Sequence, residues 1–471
     1  MSKILLGNLK GPKGDKGDKG DSVKGDPGPA GPNTIPAADF IGSEIARPGS
    51  PAEAALLPKI VDVAGGLVSA VADEAYAPST GRPTRPQEKV VTTFASGHGW
   101  TSSGAWSSVN LNDTGDIGWA NQVVSGVTDG AGGQAFFLSP ALATPIDPTG
   151  KTIVALMKVS DPSKLSSLLL HIGTTTTFTN SNSYSVASIT TGRFPFTSDD
   201  WALVTFSLVA VVGTGAGTAA TRFRWRVTDD ATGPITVKFG GTSLYQKPGT
   251  FPNGCVVFTF DDSSRSLWDL ARPIFNKYRY LGTVFPVTNR IDTPTYLTMD
   301  HLRALDRDGW EIGAHATSME THNQTLPGMT PQQKADELRA LRLWGVQNGF
   351  RSESFAYGGG HFDTDSYQTV SRYFKAGRTT TGQFETVPPA RLTTLRSLAV
   401  TNANTLATIK GKVDSAYASG SVLILTFHEI VTVAAAYQYT WTAADLEALV
   451  DYIAGLGMPV LSLADALAAM R

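Results

Sequence analysis

The sequence predicts a multidomain chain: a collagen-like triple-helical stem, a short helical neck, an all-β sandwich and a C-terminal barrel of alternating strands and helices. Three observations predict it. Glycine recurs at every third position near the start, at Gly11, Gly14, Gly17 and Gly20 and again at Gly25, Gly28 and Gly31. Short alternating apolar runs separated by Asp-Gly, Thr-Gly and Gly-Gly pairs fill the middle. From Gly254 onward, strand-like apolar runs alternate with helical ones.

Residues 1–10 read as an attachment segment and residues 11–32 as the interrupted repeat. Only glycine fits the crowded axis of three polyproline-type strands, so the period implies three chains and hence a homotrimer. The alternative is a flexible Gly/Pro linker. Seven triplets broken by a phase slip are too few to be stable alone, so adjoining parts must hold the trimer. Residues 33–88 form the neck and linker. Leu56, Leu57, Ile60, Val61, Val63 and Ala64 fall at helical spacings, and Pro48, Pro51 and Pro58 keep each helical piece short.

Residues 89–248 read as the sandwich. The runs 152–159, 201–208 and 222–227 are short alternating strands, and strands at this spacing between turn signals argue an antiparallel two-layer fold. Trp100, Trp106, Trp119 and Trp225 are either core or sugar-stacking aromatics. Residues 249–471 read as the barrel. Strands are predicted at Val256–Phe260, Gly282–Val287, Trp310–Ala314, Ser354–Ala356, Lys375–Thr379 and Val422–Phe427. Helices are predicted at Leu267–Tyr278, Met299–Arg307, Thr330–Asn348 and Asp365–Tyr373, with Thr298 as an N-cap and Pro331 in a first turn. Repeated βα units argue a closed parallel sheet with chemistry at the C-terminal strand ends.

Size and charge narrow the function classes. A chain of 471 residues holds about three domains. A net charge of −2 leaves no nucleic-acid footprint. The single cysteine, Cys255, excludes an intrachain disulfide, and its place before Val256-Val257-Phe258 makes it a buried inert thiol. No run approaches the ~18 apolar residues of a membrane span, and the first residues are too short an apolar stretch for a signal-peptide core. Synthesis in a cytoplasm without a secretion signal is the expectation.

Chemistry-bearing residues gather at the predicted strand ends. They are Thr259-Phe260-Asp261-Asp262, Gly313-Ala314-His315 with His322 seven residues on, Tyr357-Gly358-Gly359-Gly360, Arg378, and Leu425-Thr426-Phe427-His428. One carboxylate and two imidazoles with open positions suit a divalent metal, zinc first. In this order the motifs resemble those of the polysaccharide deacetylase family of carbohydrate esterases, whose fold is an irregular β/α barrel. The resemblance covers roughly residues 253–471. It implies Asp261 as general base, Asp262 and His315 as metal ligands, and His428 as the general acid that protonates the leaving amine. It further implies Arg378 as the partner that orients Asp261, unless that arginine sits in an ion pair elsewhere. Leu425 would line a pocket for the acetyl methyl, and the Tyr357 backbone N–H would help hold the oxyanion.

The sequence departs from the family pattern at one ligand. The family's second histidine falls four residues after the first, where this chain has Met319. His322 is the nearest substitute, and Glu320 is a weaker oxygen donor. Seven residues of continuous helix span about 10 Å, so His322 is expected to reach the metal only if a three-residue loop bulges out between Ala316 and Thr321. The third motif also lacks the family's usual arginine and proline. His98, His171 and His301 match no motif and read as structural or exposed.

The strand Ile235–Tyr245 resembles the closing strands of jelly-roll carbohydrate-binding modules. Stem, neck, sandwich and terminal enzyme together resemble minor tail proteins of long-tailed bacteriophages. That resemblance implies a virion location at the tail tip or fibre. It also implies tail-tip partners at the N-terminus and a bacterial envelope glycan as the target at the host surface. Two readings follow. One is a metal-dependent deacetylase acting on N-acetylated sugars. The other is a catalytically weak, lectin-like receptor-binding spike, with Met319 marking a disused site.

Overall fold

The computed structural model describes residues 88–149, 151–186, 197–245, 250–382 and 384–470. The predicted attachment segment, stem and neck lie outside the described residues.

Ten strands between Thr101 and Tyr245 form one antiparallel path, and Glu88–Thr92 pairs with Thr236–Tyr245 off that path. The path doubles over at Trp201–Val212. The first half of that strand pairs with Thr152–Val159 and its second half with Ser181–Ser185. Two layers therefore face each other. Ile153, Met157 and Phe239 from one layer share a core with Leu168, Leu170, Phe223 and Trp225 from the other. Alternation explains the strands: Arg222–Asp229 buries every second residue, with Phe223, Trp225 and Val227 inward. Trp225 and Trp100 are buried, which rules out the sugar-stacking alternative for both. Trp106 is half-buried and packs on Phe137 at 4.6 Å between centroids. Trp119 is half-buried against a second small cluster.

The C-terminal part is built on parallel strands. Glu311–Ile312, Thr283–Phe285, Cys255–Asp261, Val422–Phe427 and Leu398–Ala399 lie side by side in that order, and Val460–Leu461 runs beside the start of Cys255–Asp261. Ser354–Ala356 and Ala376–Arg378 form a further parallel pair. A bridge between Ala314 and Phe355 joins this pair to one end of the sheet, and a bridge between Arg378 and Leu395 leads back toward the other. The result is a barrel-like ring with unequal, short strands.

The central strand Cys255–Asp261 is buried along its whole length, as a strand covered on both faces must be. Val256, Phe258 and Phe260 point outward to the helices, against residues such as Leu302, Leu305, Leu446 and Leu449. Burying each phenylalanine contributes roughly 1.5–3 kcal/mol. Cys255 and Val257 point inward with Phe285, Ala356 and Ile424. Burial pushes the Cys255 thiol up to about 12, so it stays protonated and inert.

Helix ends follow their caps. Thr298 and His301 form a reciprocal capping box at the start of Met299–Asp308, and Gly309 ends it in a left-handed conformation. Thr330 and Gln333 do the same for Pro331–Gln347. The predicted helix over 267–278 is instead a π-helical turn, Leu267–Ala271, followed by a short α-helix, Arg272–Asn276. Pro273 sits in the first turn of that α-helix, a position at which proline is tolerated.

The two domains meet through buried polar anchors set in an apolar patch. The Arg396 guanidinium donates to both carboxylate oxygens of Glu385, at 2.9 and 3.2 Å, and across the boundary to the Leu203 carbonyl at 3.1 Å. The Val387 N–H donates to the Tyr245 hydroxyl at 2.8 Å. Asp200 accepts from both Tyr367 and Arg391. Among the described residues no helix is long and apolar enough to cross a membrane.

Candidate active site

Asp261, Asp262, His315, Tyr357, Arg378 and His428 lie at the C-terminal end of a barrel strand or just beyond it, whereas His322 sits on a following helix and Leu425 lies within its strand. Period-two alternation along Cys255–Asp261 sends Asp261 inward with Cys255, Val257 and Thr259. Its carboxylate receives the Arg378 guanidinium at 2.6 and 2.7 Å. Arg378 is fully buried at the end of Ala376–Arg378, and its guanidinium lies over the Phe285 ring. Burial alone would push the Asp261 carboxyl up. The Arg378 charge, with the His315 and His428 rings, outweighs burial and holds it below the usual carboxylate range. Asp261 is therefore ionised at neutral pH.

Asp262 turns the other way because the backbone leaves the strand there. Asp262 and Ser263 both adopt left-handed conformations, with φ of 64° and 65°. Two consecutive non-glycine residues in that region store strain, which surrounding bonds must hold. They do: Val287 N–H donates to Ser263 Oγ at 2.9 Å, and Leu297 N–H donates to the Ser263 carbonyl at 2.8 Å.

His315 follows the Glu311–Ile312 strand, buried, with Nδ1 bonded to the Ala356 carbonyl at 2.8 Å. That bond fixes the tautomer and aims Nε2 at the carboxylates, 3.7 Å from Asp262 Oδ1 and 3.9 Å from Asp261 Oδ2. Burial pushes the ring down to about 4, so it is neutral and keeps a lone pair for a ligand.

His322 reaches the same place by a route other than the expected one. No loop bulges out as far as Thr321. The chain bends at Thr317 and Ser318, and a new helix, Met319–Gln324, starts there. Ser318 and Thr321 cap it reciprocally, and Glu337 clamps the bend by accepting from Thr317 N–H at 2.7 Å and from Thr321 Oγ1 at 2.9 Å. The fresh helix start resets the direction of the chain. It places His322 Nε2 4.0 Å from Asp262 Oδ1, with the two imidazoles 4.7 Å apart. Glu320 lies in the first turn of this helix and is absent from the cluster.

Asp262, His315 and His322 thus present three candidate ligand atoms within 4.8 Å of one another. These residues fit a divalent ion. Asp262 Oδ1 is buried and accepts no hydrogen bond, an orphaned anionic atom that a cation would satisfy. Its separations of 3.7 and 4.0 Å from the two imidazole nitrogens exceed by roughly 0.4 and 0.7 Å the ~3.3 Å edge of a tetrahedron with 2.0–2.1 Å bonds.

His428 follows Val422–Phe427, with Nε2 4.0 Å from Asp261 Oδ2 and its ring on that of Tyr439. Two sequence-based roles do not fit this geometry. The Tyr357 N–H donates to the Arg378 carbonyl at 3.1 Å, as part of the pairing between their strands, so it is not free for an oxyanion. The Tyr357 side chain is buried and spends its hydroxyl on the Thr393 carbonyl, away from substrate. Leu425 faces outward with Leu423 and Phe427 into the helix-covered core, because residues 422, 424, 426 and 428 hold the inward parity of the strand. It lines no acetyl pocket.

Gly358 is a site residue that its motif did not single out. A Cβ there would stand 2.5 Å from the His322 carbonyl and 3.4 Å from its ring, so only glycine lets the two segments close up. The run of three glycines was the available signal. His171 is buried in the sandwich against Ser183, and His301 stacks on Trp268 at 4.4 Å, both away from the cluster. His98 bonds the Leu111 carbonyl in the sandwich.

Comparison with known proteins finds the following similarities. The family model described as polysaccharide deacetylase matches residues 249–373. A poly-beta-1,6-N-acetyl-D-glucosamine N-deacetylase of Staphylococcus aureus is 28% identical over 117 residues, 24% of this chain and 40% of that protein. The chain thus spans about two fifths of the length of this curated relative. Among solved structures, a Streptococcus pyogenes deacetylase in complex with acetate shares 21% identity over 30% of this chain and 64% of that one, with a TM-score of 0.27. The peptidoglycan deacetylase PdaC of Bacillus subtilis shares 13% identity over 46% and 92%, with a TM-score of 0.33. By the family match, a polysaccharide deacetylase domain lies at residues 249–373, the stretch that holds Asp261, Asp262, His315 and His322.

Proposed function

We propose that the barrel is a divalent-metal-dependent deacetylase that hydrolyses the acetamide of N-acetylated sugars in a bacterial cell-envelope polysaccharide. One observation carries the reading: the candidate ligand atoms of Asp262, His315 and His322 converge within 4.8 Å beside an Asp261 that Arg378 keeps ionised. The amide specificity draws support from the relative's printed activity as an N-deacetylase.

A divalent ion bound there, with zinc the best match to one carboxylate and two imidazoles, supplies an acidified water and polarises the acetyl carbonyl. The chain's own residues handle the protons. Asp261 accepts a proton from the attacking water, and Arg378 holds that carboxylate in place. The water oxygen bonds to the carbonyl carbon, and the carbon–nitrogen bond then breaks. His428 gives a proton to the departing nitrogen, leaving acetate and a free amine.

We further read the whole chain as a phage minor tail protein, trimeric through its Gly-X-Y repeat, held in the virion by its N-terminal segment and acting at the host surface during adsorption or entry. The repeat and the order of the parts support this reading.

The decisive experiment is acetate release by purified full-length protein from poly-β-1,6-N-acetylglucosamine and from peptidoglycan, with and without a chelator. Release that a chelator stops, that zinc restores and that Asp261→Ala abolishes is expected. Glycan binding with no acetate release would overturn the enzyme in favour of a lectin-like spike. Sedimentation of the full chain tests the trimer, and labelled antibody on intact virions tests the location.

A further inference from the structure

Beyond His428 the chain makes an excursion that the chemistry above leaves unused. Glu429–Val431 and Thr440–Thr442 pair in parallel and fix the two feet of a loop over residues 432–439. The loop is exposed and apolar, with Val433 77% and Tyr437 54% exposed. Exposed loops are usually mobile because water competes for their backbone groups. This one is pinned. The Asn402 side-chain amide donates to the carbonyls of Ala435, Ala436 and Tyr437 at 3.1, 3.3 and 3.4 Å. The Asn402 N–H donates to the Gln438 carbonyl at 2.9 Å, and Thr440 Oγ1 donates to the Tyr437 carbonyl at 2.7 Å.

The pinned crown presents two tyrosines over the site. Tyr439 is half-buried with its ring 4.7 Å from that of His428, and Tyr437 stands 5.7 Å further on, at 74° to Tyr439. Tyr437 also lies within electrostatic reach of the ligand cluster. Partial burial raises its phenol, and the Asp262 carboxylate raises it further. A rigid, half-exposed aromatic face beside polar and charged groups matches a sugar, whose ring offers apolar C–H faces and a polar hydroxyl rim.

We propose that Tyr437, backed by Tyr439, is the platform on which a pyranose ring of the glycan lies when its acetamide enters the site. The inference rests on the deacetylase reading for its substrate, but the platform is tested by binding alone. Loop 432–439 would then select a carbohydrate chain by its ring face, and the cluster would act only on what the platform presents. Tyr437 is exposed, so its replacement leaves the fold intact.

The test uses chelator-treated full-length protein, so that turnover does not interfere. Calorimetric titration with hexamers of β-1,6- and β-1,4-linked N-acetylglucosamine gives the parent affinity. Tyr437→Ala should weaken binding of the preferred hexamer by about tenfold, and Tyr437→Phe should stay within about threefold of the parent. In the turnover-competent chain, Tyr437→Ala should raise KM by a similar factor with kcat little changed. Binding within twofold of the parent by Tyr437→Ala overturns the platform, as does a parent that binds neither hexamer. Binding that depends on Tyr437 with no acetate release from the turnover-competent chain supports the platform and overturns the deacetylase reading instead.

Discussion

Arg378 places one guanidinium nitrogen 2.6 and 2.7 Å from the two carboxylate oxygens of Asp261, and both side chains are almost wholly removed from water. Neither charge would be tolerable there alone. Desolvating an ion costs several kcal/mol, and the pair stands only because each neutralises the other.

Replacing Arg378 by methionine should therefore do two things. It leaves the Asp261 carboxylate buried and unpaired, which costs about 3–5 kcal/mol in a denaturant melt. It also raises the Asp261 carboxyl, so acetate release at neutral pH falls sharply. Arg378→Lys should rescue stability in part, because a lysine carries the charge without the planar fork. Unchanged melting and unchanged release in Arg378→Met would remove Arg378 from the site.

His322→Ala should cost metal affinity on the order of 100-fold, taking one share of the ~10–16 kcal/mol that four ligands give a structural zinc site. Zinc retained after dialysis, measured by mass spectrometry, checks this without any activity assay. Met319→His should not restore it, because Met319 opens the helix that carries His322 and is no member of the cluster.

Gly358→Ala should act through His322. The new methyl would stand 2.5 Å from the His322 carbonyl, so one of the two segments must move. The expected result is weaker zinc binding and lost acetate release, with the sandwich unaffected. Zinc affinity equal to that of the parent would show that Gly358 and His322 are not coupled.

The sandwich should lose stability in mild acid. Burial, aided by Arg224 and Arg226, holds the His171 ring down to about 4. The unfolded chain keeps the ordinary value near 6.5. Between those values the unfolded state binds more protons than the folded one, so stability falls as pH drops from about 6.5 toward 4. The loss is about 1–2 kcal/mol. Stability curves of the parent and His171→Asn at pH 7 and pH 4.5 check this: the parent should lose more than the variant.

Much of this was legible along the chain. Short continuous apolar runs marked Val256–Phe260 and Val422–Phe427 as strands, and the Thr298 cap and Pro331 in a first turn marked two helix starts, because these signals act over a few residues. The motif order pointed to Asp261, Asp262, His315 and His428 as residues to be brought together. The parity of Leu425 was readable too, since it shares its face with Leu423 and Phe427 and opposes that of His428.

Other features exist only in three dimensions. The left-handed backbone at Asp262 and Ser263 is held by bonds to Val287 and Leu297, partners some 24 and 34 positions away, which no local propensity encodes. The Tyr357 N–H was lost to the Arg378 carbonyl by the pairing of two strands. His322 arrived at Asp262 because Ser318 and Glu337 bent the chain and restarted a helix. The amino-acid sequence by itself determined which residue types were available and which local elements they form. Tertiary structure alone decided which donor atoms share one small volume, because that depends on where long-range hydrogen bonds and packing allow the chain to turn.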